Sequence, residues 1–315
     1  MEKLRIVFMG TPDFAVGILD AIYQSQYELV GVVTVADKPA GRGQKIKHSA
    51  VKEYAQSKGL PLLQPTNLKS EEFLTNLNAL QANLFVVVAF RMLPEVVWKL
   101  PKYGTFNLHA SLLPQYRGAA PINWAIINGE KQTGVTTFFI DDKIDTGAII
   151  LNESTAISAN ETAGELHDRL MHIGAEVVIK TLHTIAQGNV TTQKQIETTE
   201  HKTAYKLNKD NCKIDWSKKG KQIHDQIRGL SPYPTAWTFL SLNNEVLAVK
   251  IYESNFIEDE HQLKIGTVIT TKKQIKVAVN GGFIEILSLQ LPAKKRVKSH
   301  ELVNGVTFSE ETHVF

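Results

Sequence analysis

Cysteine is almost absent from this sequence, with Cys212 the only one among 315 residues. A single cysteine cannot form an intramolecular disulfide, so nothing indicates an oxidising compartment. Long apolar runs are missing too, because none approaches the roughly 18 residues that a membrane-spanning helix needs. The N-terminal MEKLR passes directly into the short apolar IVFMG, which is too brief for the core of a signal peptide. These absences predict a soluble, cytoplasmic protein with no membrane partner.

The signatures of two common cofactor sites are also missing. The first apolar run ends in MGTPDF, and Gly10 is not followed by the other glycines of a dinucleotide-binding turn. A hydride-transfer enzyme is therefore disfavoured, and Gly10 is interpreted as a tight-turn residue. Three histidines, His167, His172 and His183, fall on or near one helical stretch but have no partner cluster of ligands. We therefore expect no metal and interpret them as surface or packing residues.

Length and charge give the first positive indications. The chain exceeds the usual size of one hydrophobic core, which predicts two domains. Residues 201–315 carry 17 Lys/Arg and 12 Asp/Glu, against 18 and 20 in residues 1–200, so the net charges are +5 and −2. The positive half is consistent with a surface for a polyanion, although a solvated lysine-rich surface would give the same pattern.

Near-continuous apolar runs alternate with amphipathic segments in the first half of the chain. The runs are 4–10, 28–36, 84–90, 105–111 and 134–140. Such runs are typical of strands covered on both faces, and the segments 49–58 and 70–81 have helical patterns. The alternation predicts a doubly wound α/β domain, with a site beyond the carboxyl ends of the strands.

The pattern changes towards the C-terminus. Residues 158–187 have the pattern of one long helix, with Ser158 as N-cap and Glu161 at capping-box spacing. A polar, Thr/Lys-rich stretch then predicts a linker over about 188–207. After a helical pattern at 220–230, short alternating runs separated by NN and NGG predict a small all-β barrel or sandwich.

The strongest chemical signal lies in FNLHASLLPQYRGAAP, residues 106–121. Asn107 and His109 occupy alternate positions of a predicted strand, so their side chains share one face near its carboxyl end. An amide and an imidazole together suit the stabilisation of an oxyanion in acyl transfer. Asp145, in the loop DDKIDTGAII, is placed to orient the imidazole and to collect protons. The simpler alternative is that Asn107 and His109 only cap backbone groups of the loop.

No enzyme nucleophile accompanies these three residues. Cys212 lies in the other half of the chain, and Ser111 has no G-x-S-x-G elbow around it. If the reaction is acyl transfer, the attacking group should therefore belong to a substrate.

Several stretches resemble, in the same order, the successive motifs of the methionyl-tRNA formyltransferase family. They are FMGTPDFAV (8–16), ADKPAGRGQK (36–45), NLHASLLPQYRGAAPINWAI (107–126), IDTGAIIL (144–151), AYKLNKDNCKIDW (204–216), IRGLSPYPTAW (227–237) and PAKKR (292–296). TPDF alone is weak, whereas the N-x-H-x-SLLP-x-x-RG-x-AP block with a later D-T-G is specific to folate-dependent formyl transfer. The C-terminal motifs narrow the likeness to the tRNA enzymes.

This resemblance implies a fold and an activity. It implies a Rossmann-like formyltransferase domain over 1–187, the linker, and a C-terminal, OB-like β-barrel over 208–315 that binds tRNA. The implied reaction transfers a formyl group from 10-formyltetrahydrofolate to the α-amine of methionine on initiator methionyl-tRNA, for translation initiation. No metal and no protein partner are implied.

The resemblance also implies roles for particular residues. The catalytic residues would be Asn107, His109 and Asp145, and the folate-binding residues would be Ser111, Leu112, Leu113 and Pro114. The tRNA contacts would be Arg42, Lys206, Lys294, Lys295 and Arg296, the last three through phosphate charge alone.

The chain departs from the family pattern near three of these motifs. Phe90 and Arg91 stand where a tyrosine and a glycine are usual, and Lys143 and Ala293 each stand where a glycine is usual. None is one of the three catalytic candidates, so the departures bear on folate and tRNA contacts rather than on the activity.

Two alternative functions stay open. One is a folate-dependent formyltransferase acting on the amine of a sugar nucleotide or a purine precursor, which should lack the Arg42 loop and the basic C-terminal motifs that are present here. The other is a catalytically silent RNA-binding homologue, whose mark would be the loss of Asn107, His109 or Asp145, and all three are present.

Overall fold

The computed structural model describes residues 3–40, 45–196 and 200–315. The strands before residue 200 are β1 (Arg5–Gly10), β2 (Glu28–Val33), β3 (Lys38–Ala40), β4 (Lys45–Lys47), β5 (Leu62–Leu63), β6 (Leu84–Val88), β7 (Thr105–His109), β8 (Arg117–Gly118), β9 (Gln132–Phe139) and β10 (Ile149–Ala156). The helices there are α1 (Asp13–Gln24), α2 (Ala50–Ser57), α3 (Glu71–Ala79), α4 (Glu95–Trp98), α5 (Pro121–Ile127) and α6 (Ala163–Ala186). The later elements are β11 (Thr203–Ala204), α7 (Gly220–Gly229), β12 (Ala236–Leu242), β13 (Glu245–Glu258), β14 (Val268–Thr270), β15 (Ile275–Val279), β16 (Gly282–Gln290), β17 (Val297–Lys298), α8 (Ser299–Gly305) and β18 (His313–Val314).

The chain folds into two compact units that are not simple halves of the sequence. The first comprises Met1–Gly118, Gly134–Thr155 and His167–Thr203. The second comprises Ala119–Thr133, Ala156–Leu166 and Ala204–Phe315. Two segments from the middle of the chain therefore belong to the same unit as the C-terminal sheet.

The first unit contains a seven-stranded sheet in the order β10-β9-β7-β6-β1-β2-β5. The central strands β1, β2 and β6 pair in parallel, as does β7 with β6. β7 and β9 pair antiparallel, with His109 opposite Thr136. Helices cover the faces of a mostly parallel sheet, and antiparallel strands at one edge of such sheets are common. The predicted doubly wound α/β fold is confirmed.

Close packing explains the glycine that ends β1. A Cβ atom on Gly10 would lie 2.7 Å from the Cβ of Ala15 and 3.0 Å from the carbonyl oxygen of Val88. Gly10 is not among the described residues with positive φ. The glycine therefore allows α1 and β6 to approach the end of β1, and this close approach, not the tight turn expected from the sequence, accounts for it.

The long helix α6 begins later than its sequence pattern suggests. Ser158 donates its backbone N–H to Glu161, as in half of a capping box, but the helix begins at Ala163. The reciprocal pair is formed by Thr162 and Glu165, with the Glu165 N–H donating to Oγ1 and the Thr162 N–H donating to the carboxylate. Across residues 3–40, 45–196 and 200–315, neither α6 nor another helix combines the length and apolarity needed to cross a membrane.

The second unit is built on an antiparallel sheet in the order β14-β15-β16-β13-β12-β18, with β17 beside β16. Hydrogen bonds link the two outer strands, because the N–H of Val268 donates to the carbonyl of Thr312 (3.1 Å) and that of Val314 donates to the carbonyl of Gly266 (2.9 Å). These bonds nearly close the sheet into a barrel. Its core is formed mainly by apolar residues from several strands, among them Leu240, Val249, Ile275 and Leu289. The predicted OB-like barrel is confirmed.

Candidate active site

Asn107 and His109 lie at the carboxyl end of β7, where parallel strands of α/β sheets carry their sites. Their alternate positions place both side chains on one face. His109 is buried, and its Nε2 lies 2.8 Å from the carbonyl oxygen of Tyr116. A carbonyl oxygen only accepts hydrogen bonds, so Nε2 carries a proton and Nδ1 is the atom left for other partners.

The side-chain amide of Asn107 is incompletely paired. Asn107 is half-buried, and its buried Oδ1 has no hydrogen-bond partner among the described residues. A buried polar atom without a partner costs free energy, so such atoms are rare unless a ligand completes them. This oxygen therefore remains able to accept a hydrogen bond from a bound molecule.

Asp145 completes the group of three. Its Oδ2 lies 3.7 Å from Nδ1 of His109 and accepts the backbone N–H of Gly118 at 2.9 Å. The carboxylate is largely buried, and Asp145 has a φ of 56°, in the left-handed region that non-glycine residues seldom adopt. Strained backbone of this kind is concentrated at functional sites. The structure thus brings the sequence-predicted imidazole and carboxylate together.

Sequence reasoning missed a glutamine that supports this turn. Gln195 is buried, and its Nε2 donates to the carbonyl oxygens of Asp145 (2.9 Å) and Gly147 (2.8 Å). Its Oε1 accepts from Nη2 of Arg117 at 2.7 Å. Gln195 lies in the polar stretch that was predicted to be a linker, where no local pattern distinguishes it from its neighbours.

The SLLP segment divides into buried and accessible residues. Ser111 is fully buried and donates its hydroxyl to the carbonyl of Gln115 at 2.7 Å. Leu113 is buried against Phe138, whereas Leu112 and Pro114 are only half-buried. Of the four predicted folate-binding residues, Leu112 and Pro114 therefore retain surface for a ligand, and Ser111 shapes the backbone.

The predicted tRNA-binding residues differ in their surroundings. Arg42 lies outside the described residues. Lys206, Lys294 and Lys295 are exposed. Arg296 has protein partners, because its guanidinium pairs with Glu253, donates to Ser288 and lies 4.6 Å from the ring centre of Tyr252.

A cluster of polar side chains lies at the ends of the hairpin formed by β3 and β4. Asp37 accepts hydrogen bonds from Lys52, from Gln64 (3.0 Å) and from His48 (3.1 Å). These bonds, that from Lys52 foremost, hold the pKa of the Asp37 carboxyl far below its usual range. Because Asp37 precedes β3 and His48 follows β4, the cluster fixes both ends of the hairpin.

The departures from the family pattern have distinct local structures. Arg91 donates to the carbonyls of Pro65 and Thr66, and its guanidinium lies 5.7 Å from the ring centre of Phe90. Lys143 is exposed and is not among the described residues with positive φ. Ala293 has a φ of 57°, the conformation that a glycine would adopt more readily.

The three histidines of α6 do not form a metal site. His167 packs against Phe14, His172 contacts the carbonyl of Asp168, and His183 contacts Gln187. Within the described ranges, no group of three or more histidine, cysteine or acidic side chains could hold a metal ion.

Comparisons with known proteins place this geometry in a family. Residues 4–182 match the formyl transferase family, and residues 206–307 match the C-terminal domain of formyl transferases. The chain is 65% identical over 315 residues to the methionyl-tRNA formyltransferase of Flavobacterium johnsoniae, with 100% of each chain covered. It is 52% identical over 314 residues to that of Bacteroides thetaiotaomicron, with 98% of each chain covered. The chain belongs to the formyl transferase family, and the resemblance found in the motifs is confirmed.

A solved structure supports the fold at lower identity. The N-formyltransferase from Helicobacter canadensis, in complex with folinic acid and dTDP-3-aminofucose, matches with a TM-score of 0.64 and 22% identity. The match covers 93% of this chain and 100% of that one. The architecture is therefore shared with a formyltransferase that is distant in sequence.

Proposed function

We propose that the chain transfers a formyl group from 10-formyltetrahydrofolate to the α-amine of methionine on initiator methionyl-tRNA, for translation initiation. Full-length identity to enzymes of that name supports the proposal. The observation that carries it is the approach of Asp145 to within 3.7 Å of His109, on the strand that also holds Asn107.

The substrate amine supplies the nucleophile in this reaction. An α-amino group has a reference pKa of about 7.7 to 8.0, so a useful fraction is neutral near physiological pH. The buried Cys212 lies in the second unit and is not needed as a nucleophile. The amine nitrogen attacks the formyl carbon, and the bond from that carbon to the folate nitrogen then breaks.

Asn107 and His109 would stabilise the negative charge that develops on the formyl oxygen. Because Nε2 of His109 is engaged by Tyr116, the imidazole can donate to an oxyanion only through a protonated Nδ1. The carboxylate of Asp145 lies 3.7 Å from that atom. The Nδ2 group of the Asn107 side chain would provide a second donor. Loss of one such donor typically lowers turnover by about 100- to 1,000-fold.

Asp145 would also handle the proton of the attacking amine. Its Oδ2 is held by Gly118, which leaves Oδ1 to accept a proton, directly or through water. The leaving folate nitrogen needs a proton. The carboxylate can take the proton from the amine and then give it to that nitrogen. Gln195 and Gly118 fix the turn and thereby keep the carboxylate in place.

The accessible residues of the motifs would contact the two substrates. Leu112 and Pro114 would pack against the folate, and the buried residues Ser111 and Leu113 would hold the segment in place. Arg42, Lys206, Lys294 and Lys295 would contact tRNA. Residues 1–187 would form the catalytic domain and residues 208–315 the tRNA-binding domain, with 188–207 connecting them.

The decisive experiment uses the full chain and initiator tRNA charged with methionine. Purified protein is incubated with 10-formyltetrahydrofolate, and the blocked amine is measured. Formylated methionyl-tRNA is the expected product, and its absence under turnover conditions would overturn the proposal. A dTDP-amino sugar and a purine-precursor amine serve as competing substrates, and faster formylation of either would favour the alternative function.

A further inference from the structure

Two aromatic side chains of the second unit form an ordered pair at the surface. The rings of Trp124 and Tyr205 meet edge to face, with centres 6.2 Å apart and an angle of 82° between the planes. The indole Nε1 of Trp124 donates to the backbone carbonyl of Tyr205 at 2.7 Å. The bond involves the backbone of Tyr205, so it orders the segment without occupying the phenol ring.

The side chain of Tyr205 is largely exposed to solvent although it contacts Trp124. The residue is 65% exposed, whereas Trp124 is half-buried. In the described part of the chain its ring contact is with Trp124, and most of the ring remains exposed. Trp237 of the same unit differs, because Nζ of Lys209 lies 5.2 Å from its ring centre. Tyr205 therefore offers an aromatic face that is fixed in position and available to a ligand.

Charge and chain position point to the kind of ligand. The next residue, Lys206, is exposed and can pair with a phosphate. Three residues before Tyr205, the carbonyl of Lys202 accepts the N–H of Tyr116, whose own carbonyl is bound by His109. Lys202, in the first unit, therefore borders the loop of residues 116–118, and Tyr205 follows it three residues later in the chain.

We propose that Tyr205, supported by Trp124, is a stacking platform for an unpaired base at the acceptor end of the tRNA substrate, with Lys206 contacting an adjacent phosphate. This rests on the proposed function. The aminoacylated end of a tRNA is single-stranded, and unpaired bases are bound by stacking on aromatic rings beside basic side chains. Stacking tolerates any base, so the platform positions the strand without reading its sequence.

The experiment measures stacking and affinity separately. Initiator tRNAs carry 2-aminopurine at each unpaired acceptor position in turn, and fluorescence is recorded as the full-length protein is added. We expect quenching at one or more positions with the unaltered protein and with Tyr205→Phe. Tyr205→Leu should abolish that quenching and raise the tRNA Kd about 10-fold, within the range that one base–aromatic stack provides.

A control variant and a folding check make the result decisive. Tyr23→Leu removes another exposed tyrosine, in α1 of the first unit, and should leave quenching and Kd unchanged. Tyr205→Leu keeps the carbonyl that Trp124 binds, so an unchanged thermal midpoint is expected. Equal quenching and equal Kd for Tyr205→Leu and the unaltered protein would overturn the platform.

Formylation measured on the same samples separates the two proposals. If the unaltered protein formylates methionyl-tRNA while Tyr205→Leu binds and quenches normally, the platform is wrong and the proposed function stands. If the unaltered protein fails to formylate but shows quenching that depends on Tyr205, the proposed function is wrong and the platform stands.

Discussion

Asp145 and His109 are positioned against each other by one short loop. Oδ2 of Asp145 accepts the N–H of Gly118, and Nε2 of His109 donates to the carbonyl of Tyr116. The carboxylate and the imidazole, 3.7 Å apart, therefore both depend on the backbone of residues 116–118. Their relative position is set before any substrate binds.

Removing the charge of Asp145 tests its role as proton acceptor. Asparagine tolerates the left-handed backbone at this position, so Asp145→Asn should fold normally. Since positioned acid–base groups typically contribute about 100- to 10,000-fold, we expect a loss of turnover in that range. Initial rates at saturating substrates measure it, and circular dichroism checks the fold. Turnover close to that of the unaltered protein would contradict the assignment.

Asn107→Ala separates a catalytic role from a structural one. Oδ1 of Asn107 has no partner within the described part of the chain, so removing it should not lower stability. Turnover should fall by about 100- to 1,000-fold, with little change in the tRNA affinity constant. A lower thermal midpoint with proportionate loss of binding would instead indicate a structural residue.

The three basic residues Lys294, Lys295 and Arg296 should not contribute equally to tRNA binding. Lys294 and Lys295 are exposed, whereas Arg296 pairs with Glu253. Changing both lysines to alanine should weaken tRNA binding and reduce its salt slope by about one unit per lost phosphate contact. Arg296→Ala should alter the salt slope less. The tRNA Kd measured over a range of salt concentrations decides, and an unchanged slope for the double variant would mean that tRNA binds elsewhere.

Ala293→Gly should stabilise the protein. The residue has a φ of 57°, where an alanine is strained and a glycine is not. We expect a gain of about 0.5 to 1 kcal/mol in the free energy of unfolding. The matched control is Ala248→Gly in β13, outside the positive-φ region, which should lose about the same amount. Urea unfolding of both variants provides the measurement, and a loss for Ala293→Gly would refute the argument.

His224 should make stability depend on pH. Burial foremost, with the cation of Lys221 next, lowers the pKa of this imidazole from 6.5 to about 4, with Asp225 and Arg228 also nearby. The unfolded chain then binds the proton more readily than the folded one. Stability is therefore complete above pH 6.5 and is lost as the pH falls towards 4, by up to about 3 kcal/mol. In His224→Gln the urea midpoint of unfolding should change less between pH 6.5 and 4. An equally steep change would show that His224 is not the cause of the pH dependence.

Local sequence patterns predicted the first sheet and the position of Asn107 and His109. The apolar runs were long enough to identify β1, β6 and β7, and alternation along a strand fixes which side chains share a face. The specific motif block then identified the family. The local sequence pattern was enough to predict these strands and the shared face of Asn107 and His109, because both depend on residues close together in the chain.

Other features depend on residues far apart and were not predictable. Gln195 meets Asp145 across 50 positions, and Arg296 meets Glu253 across 43. The start of α6 was misplaced because two capping-box spacings, at Ser158 and Thr162, follow each other in the sequence.

The bonds from Gln195 to the Asp145 turn have a consequence for biosynthesis. A nascent chain that ends near residue 187 already contains Asn107, His109 and Asp145, yet it lacks the side chain that donates to the carbonyls of Asp145 and Gly147. The carboxylate turn can therefore reach its final form only after residue 195 has left the ribosome. The turn that carries Asp145 is therefore completed later in synthesis than the strands of the sheet around it.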